Sequence, residues 1–392
     1  MNQYNTFKQQ HSLYHWLLKG GMLVLLLSLI ACQSGKQAQK KPDSQAEQTR
    51  NETSLMLNDA TLEQSNEEGK LLWKIQVDEA KYSPDRKKAN LTAVKGNIFQ
   101  DGKIVLQIKA DQGEIYRDGT EIFLKKNILA VDPRNKAVIR SQEVEWRPKD
   151  SLLIVRKDLQ GSHPQLEVSA KEGNYNTREQ KLELTGQIVG TSEKKSLQLK
   201  TEHLIWEIPK QTIIGDRLLK LARFHNKIIT DNLIANKATV HLDKKEVVIK
   251  ENIEFKSVKP PVQVASNEII WNYKTRQVRS DKPVKLIHYQ DNVTITGNQA
   301  EVEFAQNIAH LKGGVQGMSQ SNEAKLYSND LTWNMASQTI EAVGNVIYEQ
   351  QNPQFNLTGE KAVGTLNNKN IIVTNSNRQE RVVTEIFPDQ NK

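Results

Sequence analysis

A short strand pattern returns ten times along the chain at intervals of about 31 residues. A repeat of that length dictates a stacked architecture, because single units cannot bury their apolar faces alone. Each copy is anchored on a residue that is small in most of them: Val77, Ala110, Ser141, Ala170, Thr201, Ala235, Ser266, Gly297, Ser328 and Gly359. Two positions before the anchor stands an aliphatic side chain in every copy: Ile75, Ile108, Ile139, Val168, Leu199, Leu233, Val264, Ile295, Leu326 and Leu357. Almost the whole folded chain is therefore expected to be one elongated object.

Before the anchor, apolar and polar residues alternate, as in Leu106, Ile108, Ala110, which marks a strand with one buried face. After it, the apolar positions fall three and five residues on, as in Val144 and Trp146 after Ser141, so the parity has slipped by one. A bulge at the anchor would bend the strand and carry it from one sheet to a facing one, with the small anchor fitting the crowded corner. Turn formers such as Asn176-Thr177-Arg178 follow, then a second strand with an aliphatic residue: Ile128, Leu159, Ile188, Leu219, Ile253, Val284, Val315 or Val346. Each unit reads as a bent hairpin.

A doubled period overlies the first. Three residues after the anchor the side chain is large in Val144, Leu204, Ile269 and Leu331, and each of these is followed two positions later by Trp146, Trp206, Trp271 or Trp333. Alternating large and small residues is how a narrow interior reaches close packing. These tryptophans read either as plain core or as a ladder along a ligand groove, and the second reading requires them to be partly exposed.

The first residues point to export. Lys8 and Lys19 precede the apolar run Met22 to Ile30, which is too short to span a bilayer and matches a signal-peptide core over 1–31. Leu29-Ile30-Ala31-Cys32 resembles a bacterial lipobox, and Cys32 is the only cysteine. The expectation is lipid attachment at Cys32, a polar disordered tether over 32–54, and membrane anchoring through the lipid. A lone thiol also leaves no disulfide framework.

The formal charge of +8 favours acidic partners, yet acidic and basic residues are interspersed, so nucleic acid is not expected. The 37% hydrophobic content suits thin sheets better than a thick core. No catalytic chemistry is visible. There is no Cys pair, no metal-ligand spacing and no Gly-x-Ser-x-Gly elbow. The glycine cluster Gly313 to Gly317 sits at the ordinary turn of the repeat and opens no helix. His163, His203, His225, His241, His288 and His310 look scattered among repeat positions. The chain is expected to be no enzyme, with no cofactor and no metal.

Gly69-Lys70-Leu71-Leu72-Trp73-Lys74-Ile75-Gln76-Val77-Asp78-Glu79-Ala80-Lys81-Tyr82 resembles the opening motif of the LptC family of periplasmic lipopolysaccharide-export proteins. Later units, such as Ala170-Lys171-Glu172-Gly173-Asn174-Tyr175 leading to Leu184-Thr185-Gly186-Gln187-Ile188, resemble the related LptA/OstA repeat. The resemblance covers roughly 55–377. It implies an all-β fold: an elongated, twisted β-jellyroll or β-taco of two facing antiparallel sheets built from about ten repeats. The length suggests two fused copies, an LptC-like half at 55–200 and an LptA/OstA-like half at 201–377, with a charged tail at 378–392.

The resemblance further implies that lipopolysaccharide acyl chains ride in an apolar groove between the sheets. They would be received from the permeases of an inner-membrane ABC transporter and passed toward the outer membrane. The next carrier would be an LptA-like or outer-membrane LptD-like jellyroll, joined by edge-strand addition. The N-terminal edge would lie around Leu71 to Tyr82 and the C-terminal edge around Phe355 to Val373. The groove candidates are Tyr82, Trp146, Tyr175, Trp206, Trp271 and Trp333, with the aliphatics Ile108, Ile139, Val168, Leu199, Leu233, Val264, Ile295 and Leu326. Localisation is expected to be periplasmic on a membrane-anchored lipoprotein, the inner membrane favoured over the outer. The alternative is a structural or adhesive β-solenoid lipoprotein without lipid transport. That alternative would call for polar inward faces, stacked Asn ladders or calcium-binding glycine repeats, and the sequence carries none of these.

Overall fold

The computed structural model describes residues 55–375 and 383–386, apart from 117–118, 165, 193–195, 260, 322, 352–353 and 366–369. The expected signal segment, Cys32 and the tether lie outside the described residues. Among the described residues every regular element is a strand, and all the strand pairings are antiparallel, in one continuous ladder.

The ladder folds into two facing sheets because the strands bend at the anchors. Lys181–Ser192 shows how: its 181–185 segment pairs with Glu172–Asn176, while its 189–192 segment pairs with Leu166–Ala170. Leu197–Glu207 likewise pairs with Leu219–His225 before the bend and with Thr212–Gly215 after it. One strand thus feeds both sheets, and each sheet continues unbroken from repeat to repeat. Leu197–Glu207 spans the boundary expected at 200/201 and pairs on both of its flanks, so both sheets pass through that point.

The anchors sit in the bend. Ala110, Ser141, Ala170, Thr201, Ala235, Ser266, Gly297 and Ser328 are all buried there. Hydroxyl anchors also hold the corner: Ser141 Oγ donates to the Lys157 carbonyl at 2.5 Å, and Ser328 Oγ to the Asp330 carbonyl at 2.9 Å.

The extra residue of the bulge lies on the neighbouring strand, not on the anchor strand as the parity slip suggested. Across from Ser141 and Glu143 the partners are Ile128 and Lys125, so three steps on one strand face two on the other. Two consecutive residues in the left-handed region take up the difference: Lys126-Asn127, Gly186-Gln187, Glu251-Asn252, Gly313-Gly314 and Gly344-Asn345. The outer strand of a bend has the longer path, and left-handed residues coil it tightly enough to stay paired. Glycine takes this conformation at no steric cost, and Asn tolerates it, which explains Gly344-Asn345.

The doubled period has a backbone counterpart in the middle of the ladder. Strands that carry a tryptophan run through the bend uninterrupted, as in Ala137–Arg147, Leu197–Glu207 and Val262–Asn272. The strands alternating with them break one residue after the anchor, at Lys171, Asn236 and Asn298.

Both ends of the ladder carry strands that the repeat pattern did not reveal. Met56–Ser65 pairs along Leu71–Tyr82, so the N-terminal edge is this added strand and Leu71–Tyr82 is interior to the ladder. At the other end Asn370–Thr374 covers one arm of Gln354–Thr365 and Val383–Ile386 covers the other. Part of the expected charged tail therefore belongs to the sheet. Among the described residues Met56–Ser65 has a pairing neighbour on only one flank, which is why it lacks the anchor pattern.

Candidate functional site

The space between the sheets changes character along the ladder. From Trp73 to Trp206 it is one continuous apolar core, including fully buried Leu91, Leu106, Ile128, Leu153, Leu159, Leu184 and Ile188. It is packed so tightly that a β-carbon on Gly173 would stand 2.5 Å from Leu159 Cδ1 and 2.9 Å from Leu184 Cδ2. The interior void here is about 30 Å³, room for a water or two. Beyond Trp206 the core breaks into smaller clusters around Ile249, Leu311 and Ala342.

The groove candidates divide accordingly. Ile108, Ile139, Trp146, Tyr175 and Trp206 are buried, and Tyr82 and Val168 half-buried at the margin of the continuous core. Leu199, Leu233, Val264, Trp271 and Leu326 are half-buried, while Ile295 and Trp333 are buried. Partial exposure, which the groove-ladder reading of the tryptophans required, is met at Trp271; Trp146, Trp206 and Trp333 are only 3–7% exposed. Their indole N–H groups are buried without a hydrogen-bond partner, so these rings serve the packing by their volume and not by their polar edge.

The bends close one side of the two-sheet layer. On the opposite side the strand ends of the two sheets meet along a seam, and side chains cross it. The Tyr175 hydroxyl donates to Asp132 Oδ2 at 2.7 Å, and Arg134 donates to both Asp132 oxygens and, at 3.2 Å, to the Thr177 carbonyl. Asp132 is 1% exposed. Burial would push its carboxyl up, but the hydrogen bonds from Arg134 and Tyr175 outweigh that and hold it below the usual carboxylate range. Burial, with the Asp132 charge, drives the Tyr175 hydroxyl well above its ordinary range, so it remains a donor. Two further crossings are aromatic: His163 meets Trp206 edge to face with centroids 5.0 Å apart, and His288 meets Trp333 at 6.1 Å. His288 Nδ1 also lies 2.9 Å from Asp291 Oδ2.

The sequence pattern missed these pairings. Asp132, His163 and His288 occupy one repeat position, 22 residues after the anchors Ala110, Ser141 and Ser266. Two of the histidines read as scattered therefore share a place in the repeat. Their partners Tyr175, Trp206 and Trp333 all lie five residues after the anchor two repeats downstream. The signal was present as a coincidence of register, but at a separation no single repeat displays.

Near the C-terminal end the space between the sheets is less completely filled. A cavity of about 270 Å³ opens there, with Ile295, Leu326, Leu331, Ile340 and Ile371 among its walls and Gln290, Asp291, Lys325 and Asn370 among its polar lining. An apolar interior with a few polar groups is the usual character of a pocket for small apolar ligands. Among the described residues no cluster of His, Cys, Asp and Glu is arranged to hold a metal, and no helix is long and apolar enough to cross a membrane.

A two-sheet β-jellyroll, assembled from bent hairpins and enclosing an apolar interior, defines the class of protein. The chain belongs to the LptC-related family of lipopolysaccharide-assembly proteins, whose model matches residues 22–154 and 220–320, more than half of its length. The two matched stretches are consistent with two LptC-type copies. Comparison with curated proteins returns no match. The family is one of periplasmic, inner-membrane-associated bridge proteins of lipopolysaccharide transport, not of enzymes.

Proposed function

We propose that this protein is a bridge component of a lipopolysaccharide export transporter and carries acyl chains between its two sheets. The observation that carries the reading is the apolar cavity between the sheets, walled by Ile295, Leu326 and Ile340 and open to a polar mouth. Each methylene moved from water into such a space contributes roughly 0.8 kcal/mol, so a saturated chain binds there without any catalytic group. Both ends of the ladder suit docking: among the described residues Met56–Ser65 at one end, and Asn370–Thr374 with Val383–Ile386 at the other, are terminal strands with one flank available for a further strand. In this reading the first faces the transporter permeases and the second an LptA-like or LptD-like jellyroll. Cys32 is the lipid-anchored residue, and the inner membrane holds it.

The test is photo-crosslinking in cells from inward positions. A crosslinker at Leu326, Ile295 or Trp271 is expected to capture lipopolysaccharide, and one at outward-facing Lys171 or Glu202 is not. Equal capture from inward and outward sites would refute the reading.

A further inference from the structure

The seam contacts recur by rule, and the rule shows where the seam is left unfastened. A residue 22 positions after one anchor crosses to the residue five positions after the anchor two repeats on, giving Asp132 with Tyr175, His163 with Trp206, and His288 with Trp333. The same register also brings together short side chains, Ser192 with Val240, Ser257 with Val302 and, from Gly297 and Gly359, Ser319 with Gly364. Of these, Ser319 and Gly364 line the 270 Å³ cavity, and neither has a side chain long enough to span the seam. Where the first of the crossings adds Arg134, the corresponding residue here is Ser321, again on the cavity wall.

We infer that the gap between Ser319 and Gly364 is a seam port that admits one acyl chain of a lipid sideways into the cavity, and that the fastened seam of the first half excludes such chains. This rests on the lipid-carrier reading above and narrows it to one part of the ladder. Three observations favour an acyl chain over other occupants. The cavity is far larger than the first half's interior void, and Ile340, Leu326 and Ile371 give it apolar walls. Its polar lining, Gln290, Asp291, Lys325 and Asn370, suits a polar headgroup that stays outside. The interior upstream is already filled: even a methyl group on Gly173 would collide with Leu159 and Leu184.

The test uses the full-length protein in cells, with a photo-crosslinking residue placed singly at Leu326, Ile340, Leu166 or Val168, and a blot for lipopolysaccharide. Capture from Leu326 and Ile340, at least tenfold above Leu166 and Val168, is expected. Ser319→Trp places a large ring at the port, where His163 and His288 stand at the other crossings, and is expected to cut capture from Ile340 at least tenfold. Thermal melting checks that the variant folds, and Ser319→Leu replaces it if it does not. Equal capture from both halves would overturn the inference while leaving the carrier reading intact. Capture from none of the four positions would overturn both. Undiminished capture in the folded Ser319 variant would show that the port is elsewhere.

Discussion

Tyr175→Phe isolates one crossing of the seam. The substitution keeps the ring in the core, where Tyr175 is 3% exposed, and deletes the hydroxyl that donates to Asp132 at 2.7 Å. A hydrogen bond to an ionised acceptor contributes about 1.5–3 kcal/mol. Against that, Phe is easier to bury than Tyr, and Asp132 keeps its contacts to Arg134 at 2.6 to 3.2 Å. The expected loss at pH 7 is therefore about 1–2 kcal/mol. Asp132→Ala should cost more, about 3 kcal/mol, because it removes the acceptor of both Arg134 and the Tyr175 hydroxyl; Arg134 keeps the Thr177 carbonyl and, being partly exposed, recovers some hydration, which keeps the loss at the low end for a broken buried pair. The pH dependence has a definite sign. The Asp132 carboxyl is held below its ordinary 3.8 in the folded state, so its contribution is present above that value and is lost as pH falls through the folded value. The gap between wild type and Tyr175→Phe should then narrow, because a neutral acceptor retains only about 0.5–1.5 kcal/mol of the bond. Urea denaturation followed by tryptophan fluorescence, at pH 7 and at successively lower pH, reads this directly, since Trp146 and Trp206 belong to the same core. An unchanged midpoint at pH 7, or a difference that does not move with pH, would refute the assignment of a charge-assisted crossing.

Gly173→Ala is expected to destabilise by about 1–3 kcal/mol through overpacking against Leu159 and Leu184, whereas Gly190→Ala, whose nearest neighbour is Leu199 Cβ at 3.8 Å, should be neutral or stabilising; opposite signs in thermal melts check the packing. At the outer face of a bend the His203 ring lies 2.7 Å from Asp216 and 3.0 Å from Glu183, whose hydrogen bonds raise its proton affinity. His203→Gln should therefore lose stability below the ordinary histidine range and converge on wild type as pH rises through the raised value, by less than about 1 kcal/mol because the carboxylates are solvent-exposed; a loss growing with pH would contradict this. Cys32→Ser should abolish labelling by radioactive fatty acid, and persistent labelling would remove the lipid-anchor proposal.

The repeat was legible because it records pairing between neighbours. Ile139, Ser141, Val144 and Trp146 face inward in one strand, so their parity slip gave away the bend and, from it, the two sheets. What stayed hidden depends on relations between repeats. The crossing of Asp132 to Tyr175 joins residues 43 apart whose types look unremarkable in their own units. The extra bulge residue was hidden for a different reason: Lys126-Asn127 and Glu251-Asn252 adopt the left-handed region without glycine, because the partner strand enforces it. Met56–Ser65, a strand with one partner, had no reason to carry the anchor pattern. The cavity is read from what is missing, Ser319 and Gly364 in place of longer side chains, and a missing contact leaves no motif.

The uneven core also sets an order of events during biogenesis. In the periplasmic reading the N-terminal part of the chain is delivered across the membrane first, and it holds the continuous cluster from Trp73 to Trp206. Its hairpins can close before the rest has emerged, since each strand pairs only with neighbours in the ladder. That finished half then presents a ready edge on which later strands are templated one at a time. The late strands around Ala342 and Ala362 join with the smallest buried cluster, and Asn370–Thr374 and Val383–Ile386 follow them, so the end that holds the cavity is both the youngest part of the ladder and the one with the least buried core to hold it shut.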